Sequence, residues 1–564
     1  MNARPSGSFV LALHGHMPWV LHHGRWPHGE HWLFEAAVGV YLPMLSVLDD
    51  LERAGVTNAF SLGLTPVLLE QLAHPTFRSG VAEYLADRAR RAEHDARDPS
   101  LAHRAHHWAE RFATLTALNH RIDGNIVGAF AEHARAGRIE LLSSFATHGY
   151  APLLKHDRCI RAQLEAGLAT SERHLGFRPT GIWLPECAFR PSGPWTQPVL
   201  GGPTRTRMGV DRILEAHGVT HFFISSAMAA GARSEGRQVP DGSFDKVGWD
   251  EADRQPRVGW RDVMEPHQIS THGGPSSVVA FARHPAVSEQ VWSADVGYPG
   301  DPRYLEFHKR KDGDGLRYWR VTDRALDLGE KQPYAPEDVP AVVFSQAQHF
   351  ANVVRERLVD WNERTGRDGC VTATFDGELF GHWWHEGPEF LREAVLALHH
   401  DPAVRLQTAA DRLKTHPPQE VVWLPEGSWG EGNDHRVWLN DQTRWTWEAL
   451  HRAEDRFFGL LWRVQQRSNR KRAEAMLALA ARELLLLQAS DWQFVIHTEQ
   501  AVDYGFRRFS GHLSCFDTIC SMVDDLLAGR RKHAAAHKAC RELALAADDC
   551  FTDLSLDAFN FPGD

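Results

Sequence analysis

Seven short apolar runs recur along the first two thirds of the chain, and each ends in a polar or proline-bearing turn. Phe9–Leu13 runs into His14-Gly15-His16, Asn58–Leu64 into Thr65-Pro66, and Ile139–Phe145 into Ala146-Thr147-His148. Thr180–Leu184 ends in Pro185-Glu186-Cys187, His221–Ile224 in Ser225-Ser226, Ser277–Ala282 in Arg283-His284, and Val371–Phe375 in Asp376. Apolar runs this short, without polar alternation, read as strands buried on both faces of a parallel sheet. Helical periodicity fills the intervals, as in Val38–Ala54 and Arg158–Leu175, so the repeating unit is a βα pair.

Two segments interrupt the pattern. Arg78–Leu118 is rich in Arg, His, Glu and Ala and reads as an inserted helical pair. Met228–Val258 is rich in Gly, Asp, Arg and Ser and reads as a long loop, of the kind that often forms a lid. Past residue 400 the strand pattern fades, and Gln442–Gln466, Ser468–Ser490 and Phe516–Asp549 carry helical periodicity. The expected architecture is α/β. A βα-barrel domain spans residues 1–415, with the insertion at about 78–118 and the loop at about 228–258. A helical domain spans 416–564. Polar residues cluster at the C-terminal ends of several strands, which is where a βα barrel builds its active site.

Composition narrows the function classes. Hydrophobic residues make up 43% of 564, enough for a sizeable core, and a net charge of −11 leaves no basic footprint for nucleic acid. The 7 cysteines are an odd number with no CxxC pair, which fits a reducing, cytoplasmic setting. The N-terminus lacks a signal-peptide cleavage pattern. The most apolar later stretch, Ala473–Ile496, is broken by Arg482, Glu483 and Asp491, so it reads as a buried helix and no membrane partner is expected. The 20 tryptophans against 8 tyrosines suit carbohydrate binding, because indole faces stack on pyranose rings.

The candidate chemistry centres on residues 370–387, CVTATFDGELFGHWWHEG. An apolar strand there gives way at once to Asp376, Glu378, His382, Trp383, Trp384, His385 and Glu386. Retaining glycoside chemistry needs two carboxyl groups about 5–5.5 Å apart, one a nucleophile and one an acid/base. Glu186 and Asp376 each follow a strand directly, so both can reach the barrel mouth. Apolar neighbours raise a carboxyl pKa, which would let Asp376 donate a proton. His14 and His16 share one face of an extended segment and could bond sugar hydroxyls. They could also bind a metal if His148 and Asp376 completed the set, but HxH alone is a weak metal signal. Trp429 and Trp438, in the glycine-rich GSWGEGNDHRVWLN, read as stacking platforms or as docking residues between the two domains. Asp491 and Trp492 end the apolar helix, and a buried acid at Asp491 must be paired or act as a cap.

HGHMPW, THGYAPLL, GIWLPECAFRP, VWSADVGYPGDPRYLEFHK, FDGELFGHWWHEGP and QASDWQF resemble the motifs of glycoside hydrolase family 57, above all those of its α-1,4-glucan branching enzymes. The motifs keep the family order from His14 to Phe494. The resemblance implies an incomplete (β/α)7 barrel with a helical insertion and an all-helical C-terminal domain that completes the glucan cleft. It implies a retaining double displacement with no cofactor and no metal. Glu186 takes the nucleophile's place and Asp376 that of the acid/base. The resemblance puts Arg283, Gly300, Trp429 and Asp491 where the family's branching enzymes contact glucan, Trp292 and Trp438 at further aromatic subsites, and His14, His16 and His148 around the reactive sugar. Trp19 and Trp383, in the motifs, join them as expected substrate-binding residues. The expected substrate is α-1,4-glucan such as amylose or glycogen, handled by a monomer or small homo-oligomer.

The sequence departs from the family pattern in one respect that bears on activity. The resemblance implies a loop tyrosine that favours transfer over hydrolysis, and Met228–Val258 contains none, offering Phe244 and Trp249 instead. Gly377 and His385 also differ from the pattern. An α-amylase-type hydrolase and a 4-α-glucanotransferase are therefore the nearest alternatives. A metal-dependent carbohydrate deacetylase is a more distant one, which the FDGELFGHWW match opposes.

Overall fold

The computed structural model describes residues 4–238, 244–246, 263–271, 274–293, 295–530 and 534–560. All seven apolar runs are strands: β1 Gly7–Gly15, β2 Ser61–Leu64, β3 Glu140–Ser144, β4 Ile182–Trp183, β5 His221–Ile224, β6 Gly274–Ala282 and β7 Gly369–Asp376. β7, β1, β2, β3 and β4 pair in that order, all parallel. β4 reaches β5 through the parallel bridge Gly181–His221, and β5 pairs with β6 in parallel.

The ring closes imperfectly. The C-terminal end of β6 meets the middle of β7 through the parallel bridge Arg283–Thr372, where the His284 N–H donates to the Thr372 carbonyl at 2.8 Å. Lower down, the strand His267–Thr271 pairs antiparallel with β6, and the Cys370 N–H donates to Met264 at 2.7 Å. The barrel is thus a seven-stranded one with a seam, the incomplete (β/α)7 architecture.

β-branched and aromatic residues make β7, and all but Asp376 of its eight residues are buried. Burying each large apolar side chain there contributes roughly 1.5–3 kcal/mol. The register of β1 on β7 runs from Gly7 opposite Gly369 to His14 opposite Asp376. A slip of one residue would reverse every side chain, so core packing fixes these two groups side by side at the rim.

The inserted pair forms the helices Pro75–Asp95 and Ala102–Arg121. The segment read as a loop is partly ordered: Ser226–Gly231 is helical, and Arg233–Gln238 pairs antiparallel with Phe244–Lys246. Arg233–Gln238 also pairs with the strand Glu420–Trp423, which continues to His267–Thr271. Backbone pairing holds this hairpin, and its polar sequence shows no apolar alternation that would announce a strand. The rest of that segment, Trp249 included, lies outside the described residues.

The C-terminal part therefore opens on a strand before turning helical at Arg444–Gln465, Lys471–Leu487, Asp491–His497, Val502–Leu527 and Ala534–Ala547. The expected single helix Ala473–Ile496 is two helices, broken at Gln488-Ala489-Ser490. Polar tertiary partners explain the break. Gln488 accepts from Gln163 and donates to Glu454, both at 3.0 Å, and Ala489 bridges to Gly149. One described helical stretch, Glu30–Arg53, is long and apolar enough to cross a membrane, and 72% of its apolar window is buried within the fold. It contains a π turn at Ala37–Tyr41, a feature frequent near functional sites.

Candidate active site

Glu186 sits on the turn after β4 in a left-handed conformation (φ +60°), followed by Cys187 at φ +49°. His148, after β3, is also left-handed at φ +64°. Such non-glycine residues cost about 1–3 kcal/mol each and persist where the surroundings hold them. Two side chains hold the Glu186 carboxylate. Trp429 Nε1–H donates to Oε2 at 3.0 Å, and the Ser490 hydroxyl donates to Oε1 at 2.9 Å. Burial raises the Glu186 pKa, and these two donors pull it back.

Asp376 differs. It ends β7 partly exposed and accepts no hydrogen bond from a described residue. Burial pushes its pKa well above the usual carboxylate range, the charges of Glu378 and Glu186 push it further, and Arg283 opposes them. Hydrogen bonds thus favour the anion at one carboxyl, while burial and the first one's charge favour the protonated form at the other. That division of labour suits a nucleophile and a general acid.

The histidines form a chain. Ser490 spends its hydrogen on Glu186, so its oxygen accepts from His148 Nδ1–H at 2.9 Å. Neutral His148 then has a bare Nε2, which accepts from His14 Nε2–H at 2.9 Å. His14 Nδ1 is left bare, buried and without a partner. Burial lowers the pKa of both rings, which keeps them neutral. His14 stacks on Trp183 at 4.7 Å.

His16 is the member held towards its charged form. Burial would lower its pKa, but Asp491, Glu378 and Glu186 together raise it. Its Nε2 lies 3.0 and 2.9 Å from the two Asp491 oxygens, Nδ1 lies 3.0 Å from Thr65 Oγ1, and its backbone N–H donates to Glu378 at 2.9 Å. Tyr41, from the π turn, donates its hydroxyl to the same Glu378 oxygen. His16, His148 and Asp491 bring three potential ligand atoms within 4.8 Å of one another. Asp376 is not in that group, so the metal set suggested by the sequence is not the one assembled here.

The remaining candidates divide. Trp292 and Trp429 meet edge to face at 6.2 Å, and the Trp292 indole N–H donates to the Thr374 carbonyl on β7 at 3.3 Å. Arg283 lies close enough to Asp376 to act on its charge, and Trp383 is 43% exposed. Gly300 lies against the guanidinium of Arg324, where a Cβ would come within 1.4 Å of it. Trp19 and Trp438 are each 1% exposed and cannot present a face to a sugar as they stand. Trp19 donates to the Ala547 carbonyl at 3.0 Å, and Trp438 stacks on Tyr150 at 4.4 Å.

Sequence reasoning missed Ser490, Tyr41, Thr65 and the part played by Glu378. The polar Ser490-Asp491 pair inside an apolar stretch was the one available signal; nothing local marks Tyr41 or Thr65.

The chain matches the Glycosyl hydrolase family 57 profile over residues 10–425, and residues 449–559 match the profile "1,4-alpha-glucan branching enzyme, C-terminal". A 1,4-alpha-glucan branching enzyme of Thermococcus kodakarensis is 37% identical over 519 residues, covering 91% of this chain and 73% of its own. A probable 1,4-alpha-glucan branching enzyme of Mycobacterium tuberculosis is 33% identical, covering 94% of both. Among solved structures, the Thermococcus branching enzyme in complex with glucose superposes with a TM-score of 0.87 at 34% identity, over 99% of this chain and 97% of that one. The alpha-amylase AmyC of Thermotoga maritima superposes with a TM-score of 0.81 at 28% identity, over 99% and 100%.

Proposed function

This chain belongs to glycosyl hydrolase family 57, and on that premise we propose how its residues carry out 1,4-α-glucan branching. Asp376 protonates the glycosidic oxygen while Glu186 attacks the anomeric carbon, so the α-1,4 bond breaks and a covalent glucosyl-enzyme forms. Asp376, now a carboxylate, then takes the proton from a 6-hydroxyl of an acceptor chain. That oxygen displaces Glu186 and closes an α-1,6 branch.

The observation that carries these roles is the inequality of the two carboxyls. Glu186 accepts two hydrogen bonds, whereas Asp376 accepts none from a described residue and burial favours its protonated form. His16, ion-paired with Asp491, is held towards its charged form within reach of the Glu186 charge, and neutral His14 and His148 hold Ser490 on Glu186. Trp292, Trp429, Arg283 and Trp383 are the candidate sugar contacts. Trp19 and Trp438 support the walls. Six free cysteines among the described residues, five of them buried, suit the cytoplasm.

The absence of a tyrosine from 228–258 favours a second reading, in which water competes for the glucosyl-enzyme. Incubation with amylose separates the two. Branching predicts new α-1,6 signals by proton NMR with few new reducing ends. Reducing ends rising without α-1,6 signals would make the protein a hydrolase.

A further inference from the structure

Outside the catalytic cleft, a cavity of about 60 Å3 lies between the inserted helices and the loop that follows β7. Its wall is strongly cationic. Arg88, Arg111, Arg310 and Arg317 line it, and Glu35 is the one carboxylate there. Arg310 takes Glu35 at 2.6 Å, and Arg111 is paired outside the cavity with Glu389 at 3.0 Å. Arg88 reaches Asp87 at 3.5 Å and the Asp314 carbonyl at 2.5 Å.

Arg317 is left over. No carboxylate among the described residues lies within ion-pairing distance of its guanidinium, which sits over the Phe307 ring at 5.8 Å and makes one long contact of 3.5 Å to the His382 carbonyl. Arg88 Nε and Arg111 Nη2 are buried donors without partners. His382 and His385 add no counter-charge. Burial and the nearby arginines keep both neutral, with the His382 pKa pushed down to about 4. A half-buried guanidinium facing a partly enclosed space, beside further unpaired buried donors, is costly without an anion.

We propose that this cavity is a binding site for one inorganic tetrahedral oxyanion, phosphate or sulfate, held by Arg317 together with Arg111, Arg88 and Arg310. The guanidinium fork matches such oxygens in pairs. The size agrees, since a water needs about 10–15 Å3 of such space, so the cavity takes roughly four to six water-sized groups and no sugar ring. The site is five residues from the chemistry: Gly381 and His382 line it, and Asp376 and Glu378 precede them on the same loop. A bound oxyanion would tie the inserted helices to that loop.

The test uses the full chain dialysed into chloride buffer. Titration calorimetry with inorganic phosphate should give one site per chain. Phosphate and sulfate should each raise Tm by about 2–5 °C over chloride of equal ionic strength, and glucose 6-phosphate should not. Arg317→Gln removes an unpaired charge and should fold, with phosphate binding at least about 10-fold weaker. Arg111→Lys keeps the charge without the fork and should weaken binding several-fold. No saturable response beyond chloride, unchanged affinity in both variants, or a preference for the sugar phosphate would overturn the proposal.

Discussion

Trp429 grips Glu186 at both ends: its indole N–H donates to Oε2 at 3.0 Å, and its backbone N–H donates to the Glu186 carbonyl at 3.0 Å. The two residues lie 243 positions apart, so the loop before the helical domain supplies a donor that favours the ionised form of a group on the barrel. Trp429→Phe keeps the ring and deletes one donor to an anion. A hydrogen bond to a charged group contributes about 1.5–3 kcal/mol, so kcat/KM should fall roughly 10- to 100-fold. The ionised form of Glu186 also loses support, so the acid limb of the pH profile should move to higher pH. An unshifted limb would show that the indole merely packs.

Glu378 acts on the other carboxyl. Its negative charge helps keep the Asp376 proton in place, and Arg283 pulls the other way. Glu378→Gln removes a like charge, so the alkaline limb of kcat/KM should move to lower pH. Arg283→Met should move it to higher pH. Opposite shifts in the two variants are the expected result; shifts of the same sign would remove Asp376 as the group behind that limb.

Stability should fall as pH rises through neutrality. Glu454 is fully buried, and burial raises its pKa to about 7 despite hydrogen bonds from Gln488, His156 and Lys155. A carboxyl whose folded pKa lies above its unfolded value of about 4.3 adds stability that is fully present below 4.3 and lost as pH rises through 7. The loss is on the order of 3 kcal/mol. Glu386 and Asp211, also raised to about 7, act in the same sense. Glu454→Gln should therefore raise Tm at pH 8 by a few degrees and leave it nearly unchanged at pH 5. Equal shifts at both pH values in scanning calorimetry would contradict this.

The barrel was legible in the sequence because each strand is a short apolar run that ends in a polar or proline-bearing turn. That pattern is what brought Glu186 and Asp376 forward as candidates. The hairpin Arg233–Gln238/Phe244–Lys246 was not, because backbone pairing rather than side-chain alternation holds it. Of the two readings of Trp438, the buried indole fits the docking one. The glycine-rich loop suggested an open platform, but a Cβ at Gly430 would lie 2.7 Å from the Trp438 ring, so the glycine makes room for that indole. Ser490 escaped notice because its partner, Glu186, lies 304 residues away.

Azide trapping tests the two carboxyl roles most directly. In Asp376→Ala the glucosyl-enzyme on Glu186 still forms from an activated α-glucosyl donor, and azide displaces it with a second inversion to give the α-glucosyl azide. In Glu186→Ala azide takes the nucleophile's place and gives the β-glucosyl azide after a single inversion. The anomeric configuration of each product, read by NMR, decides the matter. An α product from Asp376→Ala and a β product from Glu186→Ala is the predicted pair, and the reverse assignment would contradict the account.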